Sequence, residues 1–182
     1  MFKLFVDNGI ISFVEGLLQK YNFGQRGFAD GNWQEQRTGL IGQTLIQEKF
    51  GCGRPNGSIG FDGGEDFKYC NKIIDVKTMG RKVDPKPDYV NNFIGLQKNY
   101  PSDILIFCSY NKISSNLTVC GWTTKKDFFN KASFHKQGDK RFRDDGTYFI
   151  TKADLYEIEN YKLNSPNSME DLISEITQVK LI

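Results

Sequence analysis

The chain has 182 residues, 38% hydrophobic and 25% charged, with 24 Lys and Arg against 22 Asp and Glu. That length suits a single domain able to bury a real core, and the composition excludes collagen, coiled coil and wholesale disorder. Residues 1–143 hold 21 basic and 14 acidic side chains while residues 144–182 hold 3 and 8, so the body, not the tail, is fitted to face a polyanion.

In chain order, Ile10, Phe13, Val14, Leu17 and Leu18 fall at helical spacing and predict an amphipathic helix from Ile10 to Tyr21. Residues 24–31 break that period and read as a loop. From Trp33 to Phe50 apolar and small residues again recur as on a helix, which stops at Gly51-Cys52-Gly53. Gly39 and Gly42 inside it cost roughly 1 kcal/mol each relative to Ala, so a close neighbour is expected on their face. Residues 53–64 are turn-rich, and Phe67–Tyr69 with Lys72–Met79 predict a hairpin turning at Cys70-Asn71. Pro85 and Pro87 rule out a regular element from Arg81 to Asp88.

Ile104–Tyr110 and Asn116–Trp122 are apolar runs of strand length, expected to be central strands joined at residues 111–115. Thr123 or Thr124 caps a short helix from Lys125 to Ala132, and Tyr148–Thr151 reads as a last short strand. Ser168 opens a C-terminal helix with Met169, Leu172, Ile173 and Ile176 on one face, a surface that either finishes the core or joins two copies. The predicted class is α/β, or α+β, with one mixed sheet over residues 1–182.

The longest nearly uncharged apolar stretch, Gly9 to Leu18, contains Glu15 and falls short of the ~18 residues of a membrane span. No secretory signal is expected from Met1-Phe2-Lys3, and Cys52, Cys70, Cys108 and Cys120 include no CxxC pair. A cytoplasmic protein with reduced thiols is expected, acting without a membrane.

The chemistry concentrates on Asp66, Asp75 and Lys77. If Tyr69 and Lys72 close a tight hairpin, Asp66 faces Asp75 directly, about 5 Å away on the same side of the ladder. Asp75 and Lys77, two apart on one strand, share that side. Opposed carboxylates on a strand as apolar as Ile73-Ile74-Asp75-Val76 call for a neutralising cation, although a solvated hairpin carrying ordinary charges competes with that account. With only oxygen donors nearby, Mg²⁺ is the expected ion, with Mn²⁺ able to substitute.

The spacing from Asp66 to Asp75-Val76-Lys77 resembles that of the PD-(D/E)XK nuclease superfamily. Gly39-Leu40-Ile41-Gly42-Gln43 is similar to the G-x-x-G-E helix motif that precedes the active hairpin in many of those nucleases. The resemblance implies a restriction-endonuclease-like mixed sheet flanked by helices and Mg²⁺-dependent hydrolysis of DNA. It further implies Asp66 and Asp75 as metal ligands, Lys77 as the group positioning the attacking water, and Gln43 in a catalytic place. Two departures stand out. Gln43 occupies the usual Glu position, leaving Glu48 or Glu35 to supply a third carboxylate, and Glu65 rather than Pro precedes Asp66. Asp62 is an alternative first acid.

Arg81, Lys82 and Lys86 follow the active strand and are candidates for holding a substrate phosphate. Lys125, Lys126, Lys140 and Arg141 lie in a basic, Phe-rich stretch that could track a nucleic-acid backbone or form a solvated face. His135 is read as a surface histidine without carboxylate support, and Trp33 and Trp122 as packing residues. Gly57, Gly60, Gly63 and Gly64 make no nucleotide-binding P-loop. The expected function is an Mg²⁺-dependent deoxyribonuclease, an endonuclease that pairs as a homodimer, with RNA as an open substrate. The alternative is a nucleic-acid-binding or assembly module that keeps the fold without hydrolysis.

Overall fold

The computed structural model describes residues 1–23, 31–58, 60, 63–142 and 146–181. The loop expected over residues 24–31 and the alternative acid Asp62 therefore lie outside the described residues, apart from Gly31.

Strand β1 (Phe2–Phe5) leads into helix α1 (Asn8–Lys20), whose start is fixed by Asp7 accepting the Ile10 N–H at 2.9 Å. Helix α2 (Trp33–Lys49) opens with a reciprocal capping box between Asn32 and Glu35 and gives way to Gly51 at φ +73°. Strands β2 (Phe67–Tyr69) and β3 (Lys72–Arg81) form the expected hairpin. Cys70 and Asn71 take φ of +46° and +59°, the double left-handed turn that matches strand twist.

After β4 (Val90–Ile94) come β5 (Ile104–Asn111), β6 (Asn116–Thr124) and the short helix α3 (Lys125–Lys131), capped by Thr124. Strands β7 (Ser133–His135), β8 (Lys140–Phe142), β9 (Tyr148–Ile150) and β10 (Leu155–Glu159) precede helix α4 (Met169–Gln178).

Five strands form the main sheet in the order β1-β6-β5-β3-β2, with β3 and β5 parallel and the other pairs antiparallel. A second sheet runs β4-β10-β7, and β8 with β9 makes a separate ribbon. The expected mixed α/β architecture holds, with four α-helices among the described residues.

Alternation along β5 sends Ile104, Ile106 and Cys108 into a core built with α1, α2 and α4. Leu105 and Phe107 enter a second core with Phe93, Phe128 and Ile158. Met169, Leu172 and Ile176 of α4 are buried in the first core. The apolar face of that helix finishes the core instead of presenting a dimer surface.

Gly42 and Gly39 behave differently from their shared expectation. A Cβ at Gly42 would sit 1.9 Å from Thr78 Oγ1, so this glycine lets α2 lie against β3, whereas a Cβ at Gly39 would meet nothing within 4 Å. β1, β4, β7, β8 and β10 were not expected, and the strand at Tyr148 is not the last. All four cysteines are free thiols. Among the described residues no helix is long and apolar enough to cross a membrane.

Candidate active site

Strand β2 pairs with β3 only from Lys72 to Ile74, so β3 continues past the end of its outer neighbour. At that point the expected direct opposition of Asp66 and Asp75 gives way to a different contact. The backbone N–H of Asp66 donates to the Ile74 carbonyl at 3.0 Å, and the Asp66 carboxylate accepts the Val76 N–H at 2.6 Å. The side chain thus does for the edge of β3 what a strand carbonyl would do, which explains why the ladder ends at Phe67.

Asp75 and Lys77 share a side of β3, as their spacing requires. The Lys77 Nζ lies 2.7 Å from Asp75 Oδ1 and 5.5 Å from the centre of the Phe93 ring on β4. Asp75 is 2% exposed, so the ammonium offsets the desolvation of a buried carboxylate.

Asp66, Asp75 and Lys77 line one cavity of about 350 Å³ where β2 stops. Its second wall is a face of α2 carrying Gln36, Gly39, Gln43 and Gln47, whose helical spacing puts three amides in line. Gly57, Gly60 and Gly64 close a third side with φ of +73°, +69° and +82°. Side chains at those positions would strain the loop, which connects the glycine cluster to the site without any P-loop. Asn56, Glu65 and Gln97 complete the polar lining.

The sequence-predicted residues separate clearly. Gln43, Asp66, Asp75 and Lys77 come together. Glu48 does not join them: it pairs with Arg54 at 3.2 Å at the far end of α2, and Glu35 is held in the capping box. Arg81 also turns away, donating to the Val90 carbonyl at 2.7 Å and stacking on Tyr89, and burial pulls its pKa below the usual arginine value. Lys82 and Lys86 are exposed on the segment after β3 and do not line the cavity.

Lys125 is half-buried, donating to the carbonyls of Gln97 and Tyr100. Burial, opposed by attraction to Asp75, holds its ammonium below the usual lysine range. Lys126 is exposed, and Lys140 rests over the Tyr148 ring at 4.0 Å. Arg141 is bound by Glu157, a buried carboxylate on β10. The same Glu157 lies 3.4 Å from His135 Nε2, so the histidine has the carboxylate neighbour that the sequence did not reveal.

Gln36, Gln47, Glu65 and Gln97 are site residues that sequence reasoning missed. The four-residue step from Gln43 to Gln47 was the available signal for one of them. Gln47 is 7% exposed; its Nε2 donates to the Cys52 carbonyl at 3.3 Å, and its Oε1 is buried without a hydrogen-bond partner among the described residues.

The donors at the cavity are hard oxygens from three carboxylates, those of Glu65, Asp66 and Asp75, and several amides, a set that suits Mg²⁺ better than zinc. Among the described residues no three His, Cys, Asp or Glu side chains cluster as a metal cage. Mg²⁺ bound by one or two carboxylates and its own waters does not need such a cage. No family model, curated protein or solved structure matches the chain.

Proposed function

We propose that this chain is an Mg²⁺-dependent deoxyribonuclease, an endonuclease of the PD-(D/E)XK kind on a restriction-endonuclease-like sheet. One observation carries the reading: Asp66, Asp75 and Lys77 line a single cavity at the uncovered edge of β3, with the lysine ammonium held against the buried carboxylate.

Asp75 and Asp66 would hold the ion, with the amide oxygens of Gln43 and Gln47 able to complete its shell through water. When bound, the ion lowers the pKa of a water and offsets charge building on the phosphodiester. Lys77, fixed by Asp75 and Phe93, presents an ammonium to the attacking water or to the developing oxyanion. Asp66 has a second task, since the bond from Val76 N–H ties its carboxylate to the strand carrying Asp75. Cutting both strands of a duplex favours a homodimer whose two-fold axis matches the substrate, although α4 does not supply its surface.

A second reading draws on Gln43, an amide on the helix wall facing the two carboxylates. It makes the chain a nucleic-acid-binding module without hydrolysis. Supercoiled plasmid incubated with protein and Mg²⁺ or Mn²⁺ separates the two. Nicked or linear product that disappears in Asp75→Ala and Lys77→Ala supports the nuclease. Equal DNA binding with no cleavage by wild type and both variants supports the module. A labelled RNA in parallel reports the sugar preference.

A further inference from the structure

Beside the cavity lies a second hollow of about 350 Å³, lined by Lys98, Asn99, Tyr100, Lys125, Lys126 and Phe129. The two share a wall. Gln97 belongs to the first cavity, and its carbonyl accepts Lys125 Nζ at 3.4 Å. Gly64 also belongs to the first, and a Cβ there would come within 3.0 Å of the Tyr100 ring. Lys125 feels the charges of both Asp75 and Lys77. Any polymer seated against Asp75 would therefore pass close to this hollow.

Its three ammonium groups are not equivalent. Lys125 is committed to two backbone carbonyls and serves the fold. Lys98 is held by ring faces, 5.4 Å from the centre of Phe129 and 5.8 Å from that of Tyr156. Among the described residues no carboxylate pairs with Lys98 or Lys126. Rings fix the position of a cation without cancelling its charge, so Lys98 keeps its full attraction for an anion. The half-buried Phe129 beside it offers a flat apolar surface of the sort that sugars and bases rest on.

We propose that this hollow is a phosphate subsite, in which Lys98 and Lys126 hold a backbone phosphate of the strand whose neighbouring linkage lies in the Asp75 cavity. The inference rests on the nuclease reading, but it concerns binding and can be tested apart from cleavage.

Fluorescence anisotropy of a labelled single-stranded oligodeoxynucleotide, measured in EDTA over a series of salt concentrations, reads the subsite directly. Each lost phosphate contact on a single strand lowers the slope of log affinity against log salt by roughly 0.7. Lys98→Ala/Lys126→Ala, which loses the one phosphate the two lysines share, should bind about tenfold more weakly at low salt, with a slope shallower by about 0.7. Lys49→Ala, at the end of α2, should match wild type. An oligonucleotide with neutral methylphosphonate linkages should bind wild type and the double variant alike.

Wild-type affinity and slope in the double variant would overturn the subsite, and if wild type still cuts plasmid the nuclease reading survives. Lysine-dependent binding by a protein that cuts nothing would keep the subsite and overturn the nuclease. Lysine-dependent binding of the methylphosphonate strand would overturn the phosphate assignment.

Discussion

Lys77 Nζ lies 2.7 Å from Asp75 Oδ1, in a pair whose carboxylate side chain is only 2% exposed. Removing the ammonium leaves a buried charge without that countercharge, which costs about 3 kcal/mol, toward the low end for breaking a buried pair. Lys77→Met should therefore lower the urea midpoint clearly, while Asp75→Asn/Lys77→Met should recover much of the loss. All of these variants should lack nuclease activity. A double variant no more stable than Lys77→Met would show that the pair is not coupled.

Asp66 is tied to the backbone of β3 as well as to the cavity, and two substitutions separate those tasks. Asp66→Asn retains an oxygen to accept the Val76 N–H now bonded at 2.6 Å, but loses the charge a metal requires. It should fold with near-normal stability and cut nothing. Asp66→Ala should in addition lose about 1.5–3 kcal/mol, the usual worth of a hydrogen bond to a charged group. Thermal melts and plasmid cleavage on the two variants measure the split; equal melting would place no structural weight on the carboxylate.

Asp66 and Asp75 mark how far the sequence made the site legible. The hairpin turn at Cys70-Asn71, the helix from Trp33 and the pairing of Asp75 with Lys77 depend on neighbours a few positions apart, so local patterns carried them. The second sheet does not. Its strand β4 pairs with β10 far along the chain, as Phe93 with Tyr156, and Asn91 is buried there only because its amide bonds Asn160 at 2.7 Å. A buried asparagine in a five-residue strand leaves no apolar alternation to read. With β10 unseen, Glu157 could not be placed against His135 and Arg141, so the histidine reads as a surface residue and the arginine as a nucleic-acid contact or part of a solvated face. Asp66 does join Asp75 at the cavity, and only its direct opposition to Asp75 failed, for a smaller reason: the hairpin register was right, but the side chain replaced the last rung of the ladder.

Gly42 and Gly39 occupy one helix and predict opposite outcomes. Gly42→Ala forces a methyl to 1.9 Å from Thr78 Oγ1 and 2.9 Å from its Cβ, so α2 must move off β3 at a cost of about 1–3 kcal/mol. Gly42→Ala/Thr78→Ala should be only partly rescued, because the Thr78 Cβ contact persists. Gly39→Ala meets no atom and should gain up to about 1 kcal/mol from helix propensity. Since Gly39 lines the cavity, any penalty of that added methyl should fall on cleavage rather than melting. A destabilised Gly39→Ala would contradict the open space beside it.

Alkaline stability should be governed by two buried thiols. Burial pushes the Cys120 thiol up to about 12 from 9.0 and raises Cys108 well above that same ordinary value. Above pH 9 the unfolded chain gives up these protons while the native chain retains them, so stability falls as pH rises from 9 towards 12. The loss is about 1.4 kcal/mol per pH unit for each thiol. Lys125 works in the other direction, because burial lowers its pKa and its proton leaves the native chain before the unfolded one. It offsets only part of the loss. Urea unfolding at pH 8.5 and 10.5 should show a marked drop for wild type and roughly half that drop for Cys120→Ala, whose lower starting stability cancels in the comparison. An equal drop in both proteins would mean that Cys120 meets solvent in the native state, which its 0% exposure between two strands does not allow.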